Sequence, residues 1–216
     1  MSQAVVVIGG GTLSPRAVDA VDQGAAVIAA DSGLDHAVAA GLRPQVLVGD
    51  FDSISAAGRM WAYAHELEIH EHPADKDLTD TELAIARALD VPGASRLLVL
   101  GGLDNPDDQR LDHLLGTVLA LGHPSLAELE EVHAVLGTTE FLVLHSGQSA
   151  VLGIATGQPF SLLALHGPCS GITVTGARWP LADAALQGTE ARGVSNEATD
   201  RTEVRVVAGV LTVVIP

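Results

Sequence analysis

The stretch Gly49-Asp50-Phe51-Asp52-Ser53 carries two carboxylates one residue apart, directly after the apolar run Val46–Val48. If that run is a strand, the pair lies at its carboxyl end, where open α/β sheets bind ligands. Such a pair can converge on one Mg²⁺ ion, because Mg²⁺ takes oxygen ligands and usually keeps few from the protein. The alternative is an ordinary polar loop with two solvated acids. The pair becomes a metal-site candidate only if other groups join it.

Further acidic residues follow a predicted strand or begin a predicted helix: Asp31, Asp77, Asp80 and Asp112. The strands of a parallel sheet end at one edge, so these residues can gather in one cleft. For Asp80 and Asp112 taken alone, a favourable interaction with a helix dipole, worth about 0.3–1 kcal/mol, is a sufficient alternative explanation. The same loops carry Lys76 and Arg110. The whole group therefore favours phosphoryl chemistry, with the acids neutralised by Mg²⁺ or by these basic side chains.

Other chemistries fit the sequence less well. It contains neither the G-x-x-x-x-G-K-[ST] loop of a P-loop enzyme nor a G-x-S-x-G nucleophile elbow. Gly9–Gly11 followed by Asp31 partly matches a dinucleotide-binding fingerprint, but Ser14-Pro15 stands where a third glycine is needed. Cys169 has no local catalytic signature. Ser53 is better explained as a hydroxyl that caps a turn than as a nucleophile.

The arrangement of apolar runs and turns predicts the fold class α/β. Over residues 1–130, short apolar runs alternate with helical stretches, which indicates a Rossmann-like domain with a parallel sheet. Beyond Gly122-His123-Pro124, short apolar runs are separated by turns containing Gly, Pro or Ser. This pattern predicts a C-terminal all-β domain, sandwich-like or barrel-like, over residues 131–216, with the boundary somewhere in 122–150.

Two helices are especially well marked. Thr79 followed by Glu82 matches a capping box, in which the two side chains satisfy exposed backbone N–H groups at a helix start. Farther along, leucine and valine recur at helical spacing and predict a helix that packs one face on the sheet: Leu111, Leu114, Leu115, Val118 and Leu119.

Composition limits the partners of the chain. Its 11 Lys and Arg residues against 27 Asp and Glu give a net charge of −16, which argues against binding nucleic acid or an anionic membrane. Neither a signal segment nor an apolar run of the roughly 20 residues needed to span a bilayer is present. The single Cys169 cannot form an internal disulfide. We therefore expect a cytoplasmic protein.

Several sequence blocks, spread over nearly the whole chain, occur in the order typical of one enzyme family: Ala30–Gly33, Gly41–Pro44, Val48–Ile54, Asp75–Glu82, Gly101-Gly102, Arg110–His113, Gly176–Leu181 and Gly193–Glu197. With these blocks the chain resembles the thiamine pyrophosphokinases. The resemblance implies an N-terminal domain that binds ATP and Mg²⁺ and a C-terminal domain that binds thiamine. It also implies a homodimer with the substrate site at the subunit interface. The implied reaction transfers pyrophosphate from ATP to the hydroxyl of thiamine, giving thiamine diphosphate and AMP.

The resemblance also implies roles for individual residues. The implied metal-binding residues are Asp50, Asp52 and Asp80. The residues implied to bind the ATP co-substrate are Asp31, Asp50, Lys76, Asp77 and Thr79. The implied catalytic residues are Asp52, Asp80, Arg110 and Asp112, and we expect Asp112 to be the first candidate for a proton acceptor. For thiamine the implied residues are Trp179, Ser195 and Asn196. Without the family context, the tryptophan could instead plug a core, and the Ser-Asn pair could form a turn.

Two features depart from the family pattern. Ser32 and Asp35 stand where the family usually has Gly and Asn, and the acidic segment 103–109 is inserted before Arg110, where it could form a lid. Two alternative functions stay open at this point. One is a pyrophosphokinase acting on another alcohol such as a hydroxymethyl-pterin, and the other is a catalytically silent regulator that binds nucleotide or thiamine.

Overall fold

The computed structural model describes residues 2–103 and 110–216. Of the insertion 103–109, for which a lid was predicted, residues 104–109 lie outside the described residues. Two compact units make up the chain. Unit 1 contains the residues up to Thr117 together with His133–Thr138, and unit 2 contains Val118–Val132 and Thr139–Pro216.

Unit 1 holds the parallel strands. They are β1 (Ser2–Val7), β2 (Ala26–Ala30), β3 (Val46–Gly49), β4 (Glu68–Glu71) and β5 (Ala94–Gly101). Most of strand β6 (Glu131–Leu136) also lies in this unit. The strand order is β6-β5-β1-β2-β3-β4, with parallel pairing of β1 to β2 and β5, of β2 to β3, and of β3 to β4. Successive strands are added on one side of β1 as far as β4, whereas β5 lies on its other side. Loops at such a reversal open a crevice at the strand ends.

The helices are α1 (Pro15–Asp19), α2 (Gly33–Ala39), α3 (Ala56–Ala64), α4 (Asp80–Leu89) and α5 (Leu111–Ala120), followed by a 3₁₀ turn (Pro124–Leu126). The predicted capping box is confirmed at α4. There the Thr79 hydroxyl accepts from Glu82 N at 3.2 Å, and Thr79 N donates to Glu82 Oε2 at 2.8 Å. The combination of helices with a large mixed sheet confirms the predicted α/β class.

The aliphatic residues of the central strands form the core of unit 1. Val5, Val7, Leu98 and Leu100 are almost fully buried in one cluster with residues of α1 and α2. Val7, Ala29 and Leu47 are neighbours across β1, β2 and β3, so they share one face of the sheet, and on that face a second cluster around Leu47 continues the core towards α2 and α3. This packing fixes the strand ends from which the acidic loops depart.

Helix α5 differs from its prediction. Leu111, Leu115 and Leu119 are 64%, 56% and 53% exposed, whereas Val118 is buried. The expectation that this whole face packs on the sheet is therefore wrong. Helical spacing identifies an apolar face of a helix but does not say what covers it.

Unit 2 is built from antiparallel strands. They are β7 (Thr139–Leu144), β8 (Ser149–Val151), β9 (Pro159–Leu163), β10 (Cys169–Ala177), β11 (Leu181–Leu186), β12 (Asn196–Arg205) and β13 (Leu211–Ile215). They are ordered β7-β13-β9-β12-β10-β11, and β8 pairs with β12. Their core includes Phe160, Ile172 and Val204. Across the described part of the chain, no helix is long and apolar enough to cross a membrane.

Candidate functional site

A cavity of about 920 Å³ opens at the carboxyl ends of the unit 1 strands. Its walls come from the loops after β1, β2, β3 and β5, from the loop before α4 and from the first turns of α4 and α5. Among the lining residues are acidic, basic and hydroxyl side chains predicted from the sequence: Asp31, Asp50, Asp52, Lys76, Asp77, Thr79, Asp80 and Arg110. Residues distant in sequence therefore meet in one cleft at the strand ends.

Two loops that line the cavity approach each other closely at glycine residues. The loop after β1 passes so close to the loop after β5 that a Cβ atom on Gly10 would lie 2.6 Å from the carbonyl oxygen of Gly102. Gly10 also has φ +109°, a backbone conformation that L side chains rarely adopt. These glycines bring the two loops together where the strand order reverses.

Asp31 is the most buried acid of the cavity. Its residue is 8% exposed and adopts φ +46° at the end of β2. One carboxylate oxygen accepts a hydrogen bond from the Ser53 hydroxyl at 2.6 Å, whereas Oδ1 is buried and has no hydrogen-bond partner. Burial raises the pKa of Asp31, the Ser53 bond opposes this effect, and the negative charges of nearby acids raise the pKa further. The unpartnered oxygen is a donor atom suited to a cation.

The pair Asp50 and Asp52 converges with Asp31. One carboxylate oxygen from each residue lies within 4.8 Å of the other two. The chain turns here because Phe51 takes φ +62° with its side chain largely buried, and Asp52 N donates to Asp50 Oδ1 at 3.2 Å. Three hard oxygen donors at this spacing fit the coordination preference of Mg²⁺.

Asp80 joins this group through Lys76. The Lys76 ammonium lies 2.9 Å from Asp50 Oδ2 and 3.1 Å from Asp80 Oδ1. Asp80 also packs against the backbone at Gly49, where an added Cβ would lie 3.2 Å from Asp80 Oδ1. The bond from Lys76 lowers the pKa of Asp50. Burial lowers the pKa of Lys76, but its bonds to the two carboxylates outweigh this effect and raise it overall.

Arg110 lines the cavity near the start of α5, and its guanidinium bonds Asp112, with Nη2 2.7 Å from Oδ2. This bond lowers the pKa of Asp112 to about 2. Asp112 is not among the described residues that line the cavity. Its carboxylate contacts Arg110, which does line it. A carboxylate with so low a pKa is a weak base at neutral pH.

The residues matched to the thiamine-binding domain lie together in unit 2. Asn196 is 6% exposed, and its side-chain amide accepts from Trp179 N at 3.1 Å and donates to Trp179 O at 2.8 Å. Trp179 itself is 54% exposed, with the Arg178 guanidinium 4.9 Å from its ring centroid. Ser195 adopts φ +62°, and its N–H donates to Ser161 Oγ. Asn196 therefore fixes the backbone that presents the indole.

Some cavity residues were not predicted from the sequence as site residues. Apolar side chains line part of the cavity: Ile8, Leu78, Leu103, Leu111, Leu114 and Leu136. The only sequence signal for them was the apolar face of α5. Ser32 and Asp35 replace the Gly and Asn that are usual in the family, and Ser32 lines the cavity. Asp35 instead accepts from Ser55 N at 2.8 Å, which supports the start of α3.

Comparison with known proteins gives a family match over most of the chain. Residues 18–132 match the family model described as "Thiamin pyrophosphokinase, catalytic domain", and residues 150–211 match "Thiamin pyrophosphokinase, vitamin B1 binding domain". No curated protein sequence matches the chain.

Solved structures share the fold. Thiamine pyrophosphokinase from Bacillus subtilis has 21% sequence identity and a TM-score of 0.80, with 98% of each chain covered. A thiamin pyrophosphokinase family protein from Enterococcus faecalis has 22% identity and a TM-score of 0.77, with 99% of this chain and 98% of that chain covered. The yeast enzyme has 14% identity and a TM-score of 0.72, covering 100% of this chain and 86% of its own.

The first family model alone spans more than half of the 216 residues, and the second matches the region that holds Trp179 and Asn196. Neither match favours a pterin substrate or a silent regulator. The chain therefore belongs to the thiamin pyrophosphokinase family and is an enzyme that transfers pyrophosphate from ATP to thiamine.

Proposed function

We propose that the unit 1 cavity binds ATP together with Mg²⁺, and that Asp50, Asp52 and Asp80 hold the metal ion. The observation that carries this proposal is the convergence of carboxylate oxygens from Asp31, Asp50 and Asp52 within 4.8 Å. Asp80 is linked to this group because Lys76 Nζ lies 2.9 Å from Asp50 Oδ2 and 3.1 Å from Asp80 Oδ1. When bound, Mg²⁺ would neutralise charge on the phosphates of ATP. The acidic cavity needs such a bridge, because carboxylates and phosphates repel each other.

The proposed roles of the remaining cavity residues follow from their positions. Lys76, Asp77 and Thr79 belong to the loop that enters α4 and would surround the nucleotide phosphates with Asp31. Arg110 would stabilise the phosphate charge that develops as the thiamine hydroxyl attacks the β-phosphorus and AMP leaves. Asp112 would orient Arg110, since the two are joined by a bidentate contact.

For thiamine, we propose that Trp179 contacts the cationic ring, with Ser195 beside it and Asn196 holding the tryptophan in place. An exposed indole face attracts cations, as the nearby Arg178 already illustrates. This assignment is consistent with the match of the second family model to residues 150–211.

We further propose a cytoplasmic homodimer with the substrate site at the subunit interface. The exposed Leu111, Leu115 and Leu119 support a second copy as the partner, because an apolar stripe on a helix favours burial. Mixing Asp52→Asn and Trp179→Ala chains tests the shared site. At thiamine concentrations far below the raised KM of Trp179→Ala, mixed dimers should be more active than either variant alone, whereas a site within one subunit gives no such gain.

We also infer the finer architecture predicted from the sequence. Domain 1–130 would be Rossmann-like, which the reversal of strand order between β1 and β5 supports. Domain 131–216 would be sandwich-like or barrel-like, which its antiparallel pairing supports.

One assay tests the reaction directly. Purified protein is incubated with ATP, Mg²⁺ and thiamine, and AMP and thiamine diphosphate are followed over time. We expect equal amounts of both products and none after Mg²⁺ is removed with a chelator. AMP formation with a hydroxymethyl-pterin but not with thiamine would contradict the substrate. Unchanged turnover without Mg²⁺ would contradict the metal.

A further inference from the structure

Lys76 is the only lysine in the chain, since the other basic residues counted with it are arginines. At other described positions arginine pairs with carboxylates, as at Arg87 and Arg96. Lysine ends in a compact ammonium, whereas arginine ends in a broad planar fork. The one lysine ammonium of the chain therefore lies in the acidic cavity.

The Lys76 ammonium lies between two of the carboxylates proposed above to hold the metal ion. Lys76 Nζ lies between Asp50 Oδ2 and Asp80 Oδ1, at 2.9 Å and 3.1 Å. Both carboxylates belong to the metal set proposed above. The Lys76 and Asp50 side chains are 14% exposed and that of Asp80 is 26% exposed, so water screens their interactions only partly. Without a cation, the neighbouring negative charges of Asp31, Asp50, Asp52 and Asp80 would repel one another.

We propose that Lys76 is a built-in substitute for the metal ion, which Mg²⁺ must displace from Asp50 and Asp80 and which then moves to a phosphate oxygen of ATP. This inference rests on the proposed metal and nucleotide site. The ammonium and the metal ion compete for the same carboxylate oxygens. After displacement, the Lys76 ammonium no longer contacts Asp50 and Asp80. It can then pair with a phosphate oxygen of ATP in the same cavity. Lys76 therefore opposes metal binding when nucleotide is absent and favours nucleotide binding when metal is present.

Removing the charge of Lys76 should strengthen the binding of the metal ion and weaken the binding of ATP. Lys76→Met keeps the length and apolar stem of the side chain and removes its charge. We expect this variant to bind Mn²⁺, used as an EPR-visible probe, roughly tenfold more tightly than the wild type when nucleotide is absent. We also expect its KM for ATP to rise by roughly tenfold while its KM for thiamine changes little.

Arg87→Met is the matched control. It also removes one positive charge, but Arg87 pairs with Glu68 and Asp90 and does not line the cavity. Its Mn²⁺ affinity should equal that of the wild type. Equal or weaker Mn²⁺ binding by Lys76→Met would overturn the proposal. Absence of Mn²⁺ binding in all proteins, with or without α,β-methylene-ATP, would overturn the metal site itself and this inference with it.

A second measurement uses the unmodified protein. Because the chain has one lysine, protein labelled with ¹³C,¹⁵N-lysine gives a single set of lysine NMR signals. We expect Mg²⁺ alone to shift the Lys76 Cε and Nζ signals as the ammonium leaves the carboxylates. Subsequent addition of α,β-methylene-ATP should shift them a second time. Lysine signals that stay fixed while Mg²⁺ shifts the backbone amide signal of Asp50 would show that the ammonium is not displaced, and would overturn the inference.

Discussion

Asn196 binds both main-chain polar groups of Trp179: its Oδ1 accepts from the tryptophan N–H and its Nδ2 donates to the tryptophan carbonyl oxygen. The two residues are 17 positions apart, and Asn196 is buried whereas the indole is largely exposed. One buried amide therefore holds an exposed aromatic side chain in place. Asn196 therefore supports the local backbone, whereas Trp179 is the residue proposed to contact thiamine.

We expect Asn196→Ala to destabilise the protein by about 2 kcal/mol, because it removes a buried side chain that bonds both backbone groups of Trp179. The melting temperature should fall by about 4–8 °C. Thermal unfolding followed by circular dichroism measures the change. Thr199→Ala, at an exposed position of the same strand, is the control and should melt like the wild type. A variant of Asn196 that melts like the control would show that the two bonds do not contribute.

Trp179→Ala should have the opposite profile. Its side chain is mostly exposed, so the melting temperature should change little. If the indole contacts the thiazolium cation, losing a cation–π contact of about 1–2 kcal/mol should raise the KM for thiamine roughly 5- to 30-fold. The KM for ATP should stay the same. Steady-state kinetics with each substrate varied in turn decide the matter, and an unchanged KM for thiamine would remove Trp179 from the substrate site.

The acidic site shows how far local sequence patterns extend. Asp50 and Asp52 were predictable, because an apolar run followed by glycine and two acids indicates a strand end. The capping box at Thr79 was equally local. By contrast, the bond from Ser53 to Asp31 joins residues 22 positions apart and depends on the pairing of β2 with β3. Sequence spacing identified the acids but not which atoms of the loops would meet.

Two differences in the elements have related causes. The exposed leucines of α5 follow a regular helical pattern, which is the same whether the face is buried in the chain or exposed. Strand β11 was not predicted, because Leu181–Leu186 contains three alanines and an aspartate, residue types that are depleted in strands. Pairing with the nine-residue β10 stabilises it. The local sequence does not determine whether the apolar face of α5 is buried or whether Leu181–Leu186 forms a strand. Both depend on contacts with other parts of the structure.

Asp52→Asn tests the metal-binding role. The substitution keeps the shape of the side chain and removes its charge, which the proposed metal ion and the transition state both need. We expect kcat to fall by at least about 100-fold, while the dissociation constant for thiamine changes less than about threefold. Rapid-quench kinetics and calorimetric titration with thiamine provide the two values. Asp90→Asn removes an acid from the far end of α4 and should retain wild-type turnover. Wild-type turnover in Asp52→Asn would exclude Asp52 from the site.

The buried His145 in unit 2 should make stability depend on pH. Its residue is 3% exposed, its Nε2 has no hydrogen-bond partner, and its ring bonds the Leu121 carbonyl. Burial lowers the pKa of His145, and the neighbouring His166 lowers it further. The unfolded chain, in which the imidazole keeps its ordinary pKa of about 6.5, therefore binds a proton more readily than the folded chain. The stability contributed by the neutral His145 side chain is complete above pH about 6.5. It is lost as the pH falls towards the lowered pKa of His145 in the folded chain.

We expect the free energy of unfolding to fall by up to about 1.4 kcal/mol for each pH unit within that window. His145→Gln removes the titrating group, so its stability should depend less on pH between 7.5 and 5.5, whatever its stability at neutral pH. Urea unfolding at a series of pH values measures both slopes. His123→Gln, at an exposed position, is the control and should keep the wild-type slope. If the free energy of unfolding depends on pH equally in His145→Gln and the wild type, His145 binds a proton equally well in the folded and unfolded chains. That result would contradict the prediction.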